Sequence, residues 1–85
     1  MSDYSNRRYV IFSVSELGSI NFNEVEETSA STVRKSVDGT LTFVKYDGVQ
    51  PASVAALSTR SQEYTYSEIL SILSGSTWTD PNMTP

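Results

Sequence analysis

The chain has 85 residues, six Lys/Arg against ten Asp/Glu, a net charge of −4, and neither Cys nor His. One small domain is the only division this length supports. Without His and Cys, the chain lacks the usual general base, the commonest metal ligand, disulfides and thiolate metal sites. The acidic balance argues against a nucleic-acid binder, which normally carries a basic footprint. The longest apolar run, Tyr9-Val10-Ile11-Phe12, is far too short to cross a bilayer.

Residues 1–8 read as an N-terminal arm. They have no apolar stretch behind their charges of the kind a secretory signal needs, so synthesis in a cytosol is expected. Arg7 and Arg8 beside Tyr9 could grip a phosphate or a carboxylate, although a solvated pair at the start of a strand is the simpler role. Tyr9 to Val14 is the first strand, and its near-continuous apolar run suits a strand covered on both faces and central in its sheet. Gly18 then breaks the chain. In Ile20 to Glu27, Asn23 with Glu26 has capping-box form, which fits a short helical turn packed down by Ile20, Phe22 and Val25. Glu24, Glu26 and Glu27 form the one acidic cluster. Three carboxylates can hold Ca²⁺, but this spacing matches no Ca²⁺ loop and a solvated face is expected.

The centre of the sequence is Val37 to Gly48. Asp38-Gly39 between β-prone runs is a strong hairpin signal, because a type I′ turn needs positive φ at both central residues. Leu41, Phe43, Val44 and Tyr46 supply strand-favouring side chains, and Asp47-Gly48 ends the run. Thr28 to Val37 fits either a strand, with Val33, Lys35 and Val37 alternating against Thr32, Arg34 and Ser36, or a helix capped by Ser29. The β-branched residues and the turn chemistry favour a hairpin with residues 32–37. A two-residue loop then sets Val33 opposite Val44 and Arg34 opposite Phe43, an arginine over an aromatic ring.

Gln50 to Leu57 reads as a short helix with Pro51 at its first position and Val54 and Leu57 facing inward. Ser58 to Tyr64 reads as a polar loop. Thr65 to Ser74 carries the clearest helix signals: a Thr65/Glu68 capping box, a Tyr66, Ile69, Leu70, Leu73 stripe, and Gly75 as the terminator. Ile72 lies off the stripe, so it either widens the buried face or meets a partner. Residues 76–85 are a tail in which Trp78 is the one large apolar anchor. The predicted core is Val10, Ile11, Phe12, Val33, Leu41, Phe43, Val44, Val54, Leu57, Ile69, Leu70 and Leu73. The fold class is α+β: about three antiparallel strands with two short C-terminal helices on one face.

Several stretches together carry a family resemblance: Arg8 to Phe12, Ser36 to Thr40, Phe43 to Gly48, Pro51 to Val54, Tyr64 to Leu70, and Trp78 to Pro81. Across residues 8–81 the chain resembles small uncharacterised proteins encoded by tailed phages of marine cyanobacteria. That resemblance implies a phage gene product, located in the host cytoplasm or the virion. It brings no catalytic or binding residue with it, since the family has none assigned.

On residue inventory the chain is not an enzyme, and no catalytic, cofactor or metal residue is assigned. The glycines are isolated and form no phosphate-binding loop, and no spacing singles out two of Glu16, Glu63 and Glu68 as a catalytic pair. No small-molecule substrate and no membrane contact is indicated. The expected partner is a protein: a second copy, another virion component or a host protein. High Ser/Thr content, 24 of 85 residues, few charges and a Trp/Pro tail favour a structural or assembly subunit. A regulatory protein that binds a host protein is the alternative. A single-stranded nucleic-acid module is a lesser one, resting on Arg8-Tyr9, Arg34 with Phe43, and Lys45-Tyr46 as basic and aromatic neighbours. The candidate contact residues are Arg7, Arg8, Arg34, Tyr46, Ile72 and Trp78.

Overall fold

The computed structural model describes residues 6–25, 36 and 39–74. Strand β1, Arg7–Ser13, pairs antiparallel with strand β2, Leu41–Asp47, so that Val10 lies opposite Val44 and Ile11 opposite Phe43. A 3₁₀ helix, Val14–Ser19, follows β1 directly. Two α-helices come after β2: α1, Ala52–Ala55, and α2, Tyr66–Ser74. The described residues therefore form a small α+β unit with a two-stranded antiparallel sheet and a few short helices.

Both faces of this sheet are covered, which is why β1 carries a continuous apolar run rather than an alternating one. Successive side chains on a strand point to opposite faces. Val10 and Phe12 of β1, with Val44 and Tyr46 of β2, pack against Ile20, Val25, Val54 and Leu57. Tyr9 and Phe43 pack on the other face against Ile69 and Leu73, with Ile11, Leu70 and Ile72 at the margin. The two helices are thus divided between the faces, rather than sharing one as the sequence suggested. Alternation along β1 gives each helix an apolar face to cover, because it sends Tyr9 and Val10 in opposite directions.

The 3₁₀ helix takes in Val14, the last residue of the strand expected from the sequence. Ser13 caps it, its hydroxyl accepting from the Ser15 amide at 3.3 Å. The Asn21–Glu24 segment is a turn, closed by the Glu24 amide on the Asn21 carbonyl at 2.9 Å. It is fastened to α1 by the Asn21 amide on Ser53 Oγ at 3.1 Å. Pro51 precedes α1 as its cap residue, one place earlier than the first helical position expected.

At the reversal before β2, the Ser36 amide donates to the Leu41 carbonyl at 2.8 Å, and the Gly39 amide donates to the Ser36 carbonyl at 2.9 Å. Gly39 stands at φ 76°, in the positive-φ region expected of it. Val33, Arg34 and the remainder of 26–35, together with Val37 and Asp38, lie outside the described residues. So do the tail and Trp78. Of the predicted core, Leu41 is corrected: it is 41% exposed. It stands at the first position of β2, opposite Ser13 at the end of the ladder.

Candidate functional site

The two edges of β1 are satisfied by different means. On one side β2 provides an ordinary ladder. The Val14 amide meets the Thr40 carbonyl at one end, and the Gly48 amide meets the Asn6 carbonyl at the other. By the alternation of an antiparallel pair, residues 8, 10 and 12 direct their backbone groups at β2, while residues 9, 11 and 13 face away from it.

Those three meet the segment Ser58–Tyr64. Tyr9 and Tyr64 exchange both backbone bonds, at 2.9 and 2.8 Å, and the Ser61 amide donates to the Ile11 carbonyl at 2.8 Å. The remaining amides go to side chains: Ile11 N–H to Ser61 Oγ at 3.0 Å and Ser13 N–H to Thr59 Oγ1 at 2.9 Å. The polar loop expected over 58–64 is in fact the cover of the free edge. Its Ser and Thr oxygens stand where a third strand would place carbonyls. A buried edge demands such partners for every donor.

Carboxylates hold this cover at both ends. Glu16, on the 3₁₀ helix, accepts from the backbone and the hydroxyl of both Ser58 and Thr59, the Thr59 hydroxyl at 2.8 Å. The Ser58 and then the Thr59 hydroxyls lower its pKa most, and together with the two amides they hold it at about 2. Glu63 accepts from the hydroxyl of Tyr46, which in turn accepts from Gln50 Nε2 at 3.2 Å. Burial, first, and the neighbouring Glu63 push the Tyr46 phenol well above its ordinary range. Just beyond, Thr65 and Glu68 form the capping box expected of α2. The Thr65 amide donates to Glu68 Oε1 at 2.8 Å, and the Glu68 amide donates to Thr65 Oγ1 at 3.3 Å. The Thr65 amide and hydroxyl hold the Glu68 carboxyl below the usual carboxylate range.

The candidate contact residues are scattered. Arg7 is engaged across the sheet with its register partner Asp47, Nε to Oδ1 at 2.6 Å. Arg8 is part-buried, faces Tyr46 in register, and donates from Nη1 to the Arg7 carbonyl at 2.9 Å. Tyr46 is buried and belongs to the core. Ile72 widens the buried face beside Ile69 and Leu73. Arg34 and Trp78 lie outside the described residues.

The aromatic members of the three basic and aromatic pairs, Tyr9, Phe43 and Tyr46, are all buried. Tyr9 packs against Phe43 and Tyr66, each at a ring-centroid distance of 6.1 Å. Among the described residues no group of three or more carboxylates, histidines or cysteines comes together, and no helix is long and apolar enough to cross a membrane. Glu26 and Glu27 of the acidic cluster are outside that description.

The clamp around Glu16 was not recognised from the sequence. The one local signal was Ser13 followed three residues later by Glu16, and the partners that matter are 42 and 43 residues away. No family model, curated protein or solved structure matches this chain.

Proposed function

We propose that the chain is a non-enzymatic phage protein that works as a structural or assembly subunit, such as a component of the virion, through contacts with other protein. The observation that carries this reading is the use made of its polar groups. Glu16, Glu63, Glu68 and Tyr46 each hydrogen-bond to other residues of the chain itself. A catalytic acid or base is tuned toward the working pH. Here the Glu16 and Glu68 carboxyls and the Tyr46 phenol all move away from neutrality. Such groups fasten a scaffold. Leu41 and Val49, the latter 89% exposed, leave apolar surface at the two ends of β2.

The same reading takes residues 32–37 as a third strand beside β2, supported by the bonds between Ser36 and Leu41. The regulatory alternative, binding to a host protein, draws on the net charge of −4. Light-scattering mass after size exclusion, over a wide concentration range, separates the two. A defined oligomer is expected. A monomer at every concentration would overturn the self-assembling role and leave the host-binding one. Removing residues 76–85 should then abolish the oligomer and leave the domain folded.

A further inference from the structure

We infer that residues Ser58–Glu63 form a removable guard on the free edge of β1, able to lift as one piece while the β1–β2 ladder, the Tyr9–Tyr64 bridge and the Val10 face stay closed. This conformational inference does not depend on the proposed assembly role.

Three observations carry it. First, the guard holds β1 partly through side chains: Ser61 Oγ and Thr59 Oγ1 accept the Ile11 and Ser13 amides that a true strand would bind with backbone carbonyls. Second, its side-chain attachments outside the edge are few: Ser58 and Thr59 on Glu16, Arg60 Nη1 on the adjoining Leu57 carbonyl at 2.7 Å, and Glu63 on Tyr46. Third, the core is divided at the same point in the chain. Val54 and Leu57, just before the guard, belong to the Val10 and Phe12 cluster, whereas Tyr64 and Tyr66, just after it, pack against the Tyr9, Ile69 and Leu73 cluster, and no residue of the guard itself belongs to either. Segments fastened by few buried apolar contacts and exposed polar ones are the parts that open below the global unfolding free energy. Lifting the guard exposes the backbone groups of Ile11 and Ser13, an edge able to accept another strand.

Amide hydrogen exchange followed by NMR tests this on the intact chain. The Ile11 and Ser13 amides should exchange about tenfold or more faster than those of Val10 and Phe12, which need the strands to separate. Glu16 bonds neither Ile11 nor Ser13, so Glu16→Gln should speed Ile11, Ser13 and Ser61 together and leave Val10 and Phe12 unchanged. Thr59→Val, which removes a hydroxyl that both accepts from Ser13 and donates to Glu16, should reproduce the pattern. A single common rate for all β1 amides would overturn the inference. An effect of Glu16→Gln confined to Ser13 would overturn it equally, since the segment would then not move as a unit.

Discussion

The two faces of the sheet are built by different rules. The Tyr9 face is covered by one helix whose signals are all local: the capping box, the stripe at i, i+3, i+4 and i+7, and an acidic residue in the first turn. The Val10 face is covered by pieces. Leu17, Ile20, Phe22 and Val25 come from the 3₁₀ helix and the turn after it, and Val54 and Leu57 come from or follow a helix of four residues with no side-chain cap. Such a short helix cannot stand on propensity. It holds because Val54 and Leu57 are buried. One face is an element that finds a sheet, and the other is a set of segments that the sheet organises.

The contrast can be broken most sharply at Phe12, where the pieced face centres. Phe12→Ala should cost about 4 kcal/mol, with Ile69→Ala on the helical face costing about 3 kcal/mol, as core truncations of these sizes do. Urea denaturation of both variants measures the difference, and a larger loss at Ile69 would show that α2 carries the fold.

Next in size is Gly39→Val. A Cβ there meets no neighbouring atom, but φ is 76°, so the cost is conformational, roughly 2 kcal/mol for a β-branched residue held in the left-handed region. An unchanged melting temperature would mean that the turn tolerates another conformation. Thr65→Ala removes a helix cap and should cost about 1 kcal/mol. Loss of helical circular dichroism without loss of the β1–β2 ladder would place the effect on α2 alone.

The smallest effect is expected at Glu16→Gln, and it depends on pH. The folded pKa of Glu16, about 2, lies below the ordinary value of 4.5. A carboxyl depressed on folding contributes fully above its unfolded pKa and loses that contribution as pH falls through the folded one. The gap in stability between wild type and Glu16→Gln should therefore be widest near neutrality and shrink between pH 4.5 and 2. A gap that stays constant across that range would mean that the clamp acts through packing rather than charge.

How much of this was legible follows the distance between partners. β1, β2 and α2 could be read directly, since alternation, β-branched content and helix caps are written within ten residues. Tyr46 was read as a contact residue because an aromatic beside Lys45 looks like surface. Only the register with β1, and the phenol's hydrogen bond to Glu63, show it to be core. Leu41 shows the opposite error: it is apolar and in a strand, yet it lies exposed at the end of the ladder.

The sequence by itself determined the local grammar: which residues prefer extended or helical backbone, where Gly39 and Gly48 must turn at positive φ, and where α2 begins. The tertiary structure decided which face each helix covers. It also turned the polar run 58–63 into the guard of β1 and made Glu16 its clamp. The physical reason is range. Backbone propensity and capping act between near neighbours. The Glu16–Ser58 contact spans 42 residues and the Ile11–Ser61 contact spans 50, and neither pair acquires a meaning until the sheet brings its two members together.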